Sequence, residues 1–156
     1  MGDWTPRDRR FSELGLRLMS AAVLIPVAVG MVWAGGWWLA IGCAVFAAAM
    51  ALEWSQISAF PHGRAMAVAS ALFCLSLPIG LLWLSVLVIV AGMVFCAATA
   101  VGGIRVRWTA AFGLFYVTAM AAGLYLLRDG PWDGRSAALF FMSFVWASDA
   151  AAYFTG

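Results

Sequence analysis

Lysine and asparagine are absent from these 156 residues, histidine occurs once, and only seven residues are acidic. Each shortage excludes something. With His62 alone, and that in a Pro-Gly loop where it is solvated, no nucleophile–His–acid set and no histidine-spaced metal site can be assembled. No glycine-rich phosphate loop is present either. Cys43, Cys74 and Cys96 are odd in number, far apart and each inside an apolar run. They read as small buried hydrophobes rather than as a disulfide framework or a metal cluster. A net charge of +2 is too small to suggest a nucleic-acid partner. Charge of either sign is scarce, at 10% of residues, where globular domains carry about 25%.

The bulk of the chain is apolar. Hydrophobic residues make up 65% and the mean hydropathy is +0.97, against about 45–50% apolar in soluble domains. The composition predicts an all-α, polytopic transmembrane helix bundle of about six spans, with the last one cut at its C-terminus. Residues 1–17 are polar and of mixed charge, a cytoplasmic segment suited to a short interfacial helix. Residues 18–34 form a first span, read as uncleaved because more apolar segments come at once after it. Gly35-Gly36 makes a turn, residues 37–57 a second span, and Phe60-Pro61-His62-Gly63-Arg64 closes it.

From Ala65 to Ile104, forty residues carry no ionisable side chain except cysteine. A single helix of that length would measure about 60 Å, twice the hydrocarbon thickness. The stretch therefore divides near Pro78 and Gly80 into spans 65–80 and 82–104, and spans 108–127 and 136–156 complete the set. With the N-terminus in the cytoplasm, seven arginines fall inside, and only Arg128 and Arg135 outside. Trp33, Trp37, Trp38, Trp54, Trp108 and Trp132 cluster at span ends as interface anchors.

Two acids stand inside apolar spans. Asp149 comes after an uncharged run from Ala137 to Ser148, and an intramembrane carboxylate is a functional-site hypothesis by default. Three readings stand for it: a metal ligand, a proton relay, or a helix-pairing residue. Tyr153 at i+4 shares its face, and Ser148 is a neighbouring hydroxyl. Glu53, beside Trp54, either supports a site or snorkels and pairs with Arg64 or Arg17. Arg17, at the entry of the first span, is either a lipid-phosphate contact or an ordinary positive-inside anchor. Counted along their helices, both acids fall in the cytoplasmic half, Glu53 about 24 Å and Asp149 about 20 Å from the outer ends.

The segment Trp146-Ala147-Ser148-Asp149-Ala150-Ala151-Ala152-Tyr153-Phe154-Thr155-Gly156 resembles the Trp-Ala-Ser-Asp-x-x-Ala-Tyr-Phe-x-Gly stretch of phosphatidate cytidylyltransferases, the CDP-diacylglycerol synthases. Arg17, Ser20, Pro26, Gly36-Trp37-Trp38, Glu53-Trp54 and Phe112-Gly113-Leu114-Phe115-Tyr116 are similar to that family in the same order. Members often have Thr-Gly where this chain has Ala150-Ala151, and the family's C-terminal Lys-Asp and Asp-Arg signature is not found. The resemblance implies a magnesium-dependent transfer from CTP to phosphatidate in an inner (plasma) membrane. It implies Asp149 as metal ligand with Tyr153 in support at the catalytic centre, Arg17 and Ser148 toward substrate, and Glu53 structural or site-supporting. Without the C-terminal signature, these residues are expected to be inactive alone, as an N-terminal piece of something longer. Whether the chain pairs as a homodimer stays open. The rival reading is a small proton- or ion-coupled transporter with Asp149 as relay, weakened by few polar residues to line a path. A scaffold subunit, in which Asp149 only pairs helices, is the third.

Overall fold

The computed structural model describes residues 6–80, 82–101, 103–130 and 133–155, with side chains for all of these except 6–18, 82, 153 and 154. Six helices succeed one another: α1 (Pro6–Ala34), α2 (Gly36–Ile57), α3 (Gly63–Ser76), α4 (Leu82–Thr99), α5 (Ile104–Arg128) and α6 (Gly134–Thr155). No strand occurs among the described residues. A 3₁₀ turn at Leu77–Ile79, with Pro78 in it, separates α3 from α4, where proline and glycine break the long apolar stretch. Helix α1 runs without interruption from Pro6 through Arg17 into the apolar stretch. Helices α2 and α5 are each long and apolar enough to cross a membrane, while Met19–Ala34, Gly63–Ile79 and Trp83–Thr99 are apolar but shorter.

Packing obeys a simple scheme. Helices α1, α2, α5 and α6 touch in a closed ring, and α3 and α4 lie against α2 and α5 on the far side. Many of the residues at these contacts are small, with Leu39, Met66, Phe73, Leu114 and Tyr125 filling the space between them. Ala40, Ala44, Ala47 and Ala51 form one stripe of α2, and Ala110, Ala111, Gly113, Val117, Thr118 and Ala121 one stripe of α5. Many large apolar side chains point the other way, with Trp38, Phe46, Val45, Trp83, Phe112 and Phe140 all exposed. Small residues inside let backbones approach closely and gain dispersion contacts. Ser70 donates to Met66 O and Thr118 to Leu114 O within their own helices, whereas Ser76 of α3 shares a 2.7 Å bond with Ser85 of α4.

One end of the bundle is latched by arginine. Arg128, at the close of α5, donates from Nε to Val32 O at 3.2 Å and from Nη2 to Trp33 O at 3.4 Å. These are terminal carbonyls of α1 that lack intrahelical partners. Gly35, with φ +66, leaves room for the guanidinium where a methyl group would overlap it. Arg135, starting α6, places its guanidinium 4.7 Å over the Trp33 ring. The three cysteines are free and buried, as small hydrophobes would be.

The groove between the first and last helices

The site grows from two helical faces. On α1, Ser20, Ala21, Leu24 and Ile25 recur at i, i+1, i+4 and i+5; on α6, Trp146, Asp149 and Ala150 recur at i, i+3 and i+4. The two helices run antiparallel in contact, and these faces line an open groove of about 400 Å³. Ser20 lies 14 residues before the end of α1 and Asp149 15 residues after the start of α6. At 1.5 Å per residue both sit about 21–22 Å from the arginine latch, so they meet at one level. Asp149 is exposed along the groove. Arg17 and Tyr153 occupy the next turns outward, one before Ser20 and one after Asp149, and their side chains lie outside the described residues.

Ser148 is exposed and does not line the groove, since i−1 from Asp149 turns it about a quarter of the way round the helix. Glu53 is exposed near the carboxyl end of α2, 17 residues from Gly36 and therefore toward the same end of the bundle as Asp149. The ring places α1 and α5 between α2 and α6. Among the described residues the one ion pair is Arg128–Asp129, so Glu53 is not paired with Arg64.

Trp54 departs from its expected role as an interface anchor. It is half-buried, and its Nε1–H donates to Thr109 O at 3.1 Å. Its ring lies 6.0 Å from that of Tyr116, which stacks on Phe112 at 6.1 Å. Gly113 leaves the space for the indole, which a methyl group there would overlap. The Glu53-Trp54 pair and the Phe112–Tyr116 stretch, distant in sequence, thus form one joint between α2 and α5. Trp132 lies outside the described residues.

For a metal, the donor set is sparse. No three His, Cys, Asp or Glu residues gather among the described residues. Asp149 offers one carboxylate, with the Ser20 hydroxyl lining the same groove. That suits magnesium, which usually takes one or two carboxylates and completes its shell with water and substrate phosphates. It does not make a cage of protein oxygens. Ser20, Leu24, Ile25 and Trp146 were not singled out as site residues by sequence reasoning. The one available signal was Ser20, the sole polar side chain between Leu18 and Ala34.

Comparison with known proteins gives consistent likenesses. A model described as the cytidylyltransferase family matches residues 15–156. Proteins named phosphatidate cytidylyltransferase from Brucella suis biovar 1 and Brucella melitensis biotype 1 are each 32% identical over 152 residues, covering 93% of this chain and 55% of theirs. The Brucella abortus biovar 1 protein of that name is similar to the same extent. The chain thus spans about half the length of these curated relatives. No solved structure matches it.

Proposed function

The chain belongs to the cytidylyltransferase family, and we propose that it is the N-terminal part of an integral-membrane enzyme that makes CDP-diacylglycerol and pyrophosphate from CTP and phosphatidate. The observation that carries this is Asp149. It is the one carboxylate of its helix, after an uncharged run from Ser136 to Ser148, within the Ser-Asp segment shared with the family and at the polar end of a groove lined by the first and last helices. All six helices then cross or enter the bilayer, with their large apolar side chains on lipid and the N-terminus in the cytoplasm. The arginine latch faces outward, and Ser20, Glu53 and Asp149 lie toward the cytoplasmic face, where a lipid and a water-soluble nucleotide can meet.

In the reaction a phosphate oxygen of the lipid attacks the α-phosphorus of CTP, a new P–O bond forms, and pyrophosphate leaves with the electrons of the broken bond. Such chemistry asks mainly for positioning and neutralisation of charge. Magnesium, when bound, supplies that neutralisation. Asp149 is the residue of this chain that would hold it, directly or through its water shell, and Tyr153 supports the carboxylate from the next turn. Arg17, one turn before Ser20, is the residue that would contact the lipid phosphate, while Ser148 is turned away from the groove.

A transporter with Asp149 as relay has no observation in its favour. The buried hydroxyls of Ser55, Ser70, Ser76 and Thr118 bond carbonyls of their own helices and so line no aqueous path. Because the chain covers 55% of its relatives, residues 1–156 alone are expected to be inactive. The test compares CTP-dependent conversion of phosphatidate in membranes holding either residues 1–156 or the full-length protein. Activity confined to the full-length form supports the reading; activity in neither overturns it.

A further inference from the structure

The groove between α1 and α6 has an order of polarity. Ser20 and Asp149 stand at the end nearer the N-terminus, and Leu24, Ile25 and Trp146 lie deeper. The helices are antiparallel, so both polar residues fall at the same end and the apolar ones succeed them in the same direction. From Ser20 to Ile25 the groove runs about 8 Å along the axis of α1. Its volume of about 400 Å³ falls in the range of about 300–1,000 Å³ typical of small-ligand sites. It opens sideways between surfaces that are themselves apolar: Val23 and Val27 on α1, Phe141 and Val145 on α6, all exposed.

We propose that this groove seats the proximal part of an acyl chain of the lipid substrate, against Leu24, Ile25 and Trp146, with the lipid's phosphate end at Ser20 and Asp149. The inference rests on the phosphatidate reading and adds where the lipid tail lies. A lipid has the same sequence of polarity as the groove, headgroup then hydrocarbon. It can enter laterally from the bilayer without its tail crossing a polar surface. A helix from elsewhere in the protein would need no such gradient. The carboxylate of Asp149 disfavours a bare phosphate and suits one that arrives with a cation, which ties the polar end to the reaction and not only to bulk lipid. Leu24 and Ile25 are then specificity-determining residues, because a bulkier or smaller side chain changes the room for carbons next to the ester.

The test uses the full-length protein in vesicles with a phosphatidate that carries a diazirine in its proximal acyl carbons. Irradiation is expected to label the 20–25 and 146–150 segments, and unlabelled phosphatidate, but not phosphatidylcholine, should suppress the label. In parallel, Leu24→Trp is expected to raise the KM for phosphatidate about 10-fold relative to the KM for CTP, whereas Phe140→Ala, exposed and off the groove, should leave that ratio alone. Ala21→Phe fills the groove from its small side and replaces Leu24→Trp if that variant does not fold. Labelling on other helices, equal suppression by phosphatidylcholine, or an unmoved ratio in a folded groove variant would overturn the proposal while an active wild type left the phosphatidate reading standing. A wild type that converts no phosphatidate would overturn both.

Discussion

Replacing Gly113 by alanine is expected to destabilise this protein, against the usual sign of that exchange. Inside a helix, Gly→Ala ordinarily gains about 0.5–1 kcal/mol, because alanine has less backbone freedom to lose. At Gly113 the new methyl would overlap Nε1, Cδ1 and Cε2 of Trp54. The indole is a rigid plane with no flexible end to give way. To admit the methyl, Trp54 must turn out of its place, forfeiting its 3.1 Å bond to Thr109 O and its packing on Tyr116. The lost hydrogen bond costs about 0.5–1.5 kcal/mol and overpacking about 1–3 kcal/mol, so after the propensity gain a net loss of about 2 kcal/mol remains. Gly123, on the same helix, has no atom within 4 Å of an added Cβ, and Gly123→Ala is expected to stabilise by about 0.5–1 kcal/mol. Reversible unfolding in mixed detergent measures both. Trp54→Phe in the Gly113→Ala background should fall short of additivity, since the two changes act on one contact. If Gly113→Ala shifts stability in the same direction as Gly123→Ala, the close packing of α2 on α5 is refuted.

The same geometry sets further expectations. Arg128→Ala removes two donors to the end of α1 and should destabilise by about 1–3 kcal/mol, and Arg128→Lys should recover only part, having no planar fork to reach both carbonyls; unfolding midpoints of the two variants decide this. The Ser76–Ser85 bond of 2.7 Å should give a coupling energy of about 0.6 kcal/mol in a double-alanine cycle, the usual size for hydroxyl pairs between helices in membranes. Cys43, Cys74 and Cys96 are buried, so maleimide should label none of them in the folded protein and all three after denaturation.

The helical class and the breaks between helices were legible because they arise from local chemistry. The Gly35-Gly36, Pro61-His62-Gly63 and Pro78–Gly80 clusters each interrupt the helical run, whereas the lone Pro26 is carried inside α1. Asp149 stands out in the sequence as a single carboxylate in an uncharged run, and the structure places it along the groove. The pairing of helices was not. Nothing local says that Trp54 crosses to Thr109, so a tryptophan near a span end resembled an interface anchor. Nor does a stretch such as Ser20–Ile25 announce which helix it will face; only the closed ring of α1, α2, α5 and α6 brings it to Asp149. Arg128 shows the same limit, since an arginine in a polar loop gives no sign that it caps a helix some 95 residues earlier.

If Asp149 acts on phosphoryl transfer through a divalent cation, its replacement must change how the reaction responds to magnesium. The experiment is the magnesium dependence of CDP-diacylglycerol formation by the full-length protein, with wild type set beside Asp149→Asn and Asp149→Glu. Asp149→Asn is expected to lose at least about 100-fold in kcat, the scale on which a group stabilising developing charge acts. Asp149→Glu is expected to retain partial activity at a raised magnesium requirement. Wild-type activity and an unchanged magnesium curve in Asp149→Asn would contradict that role.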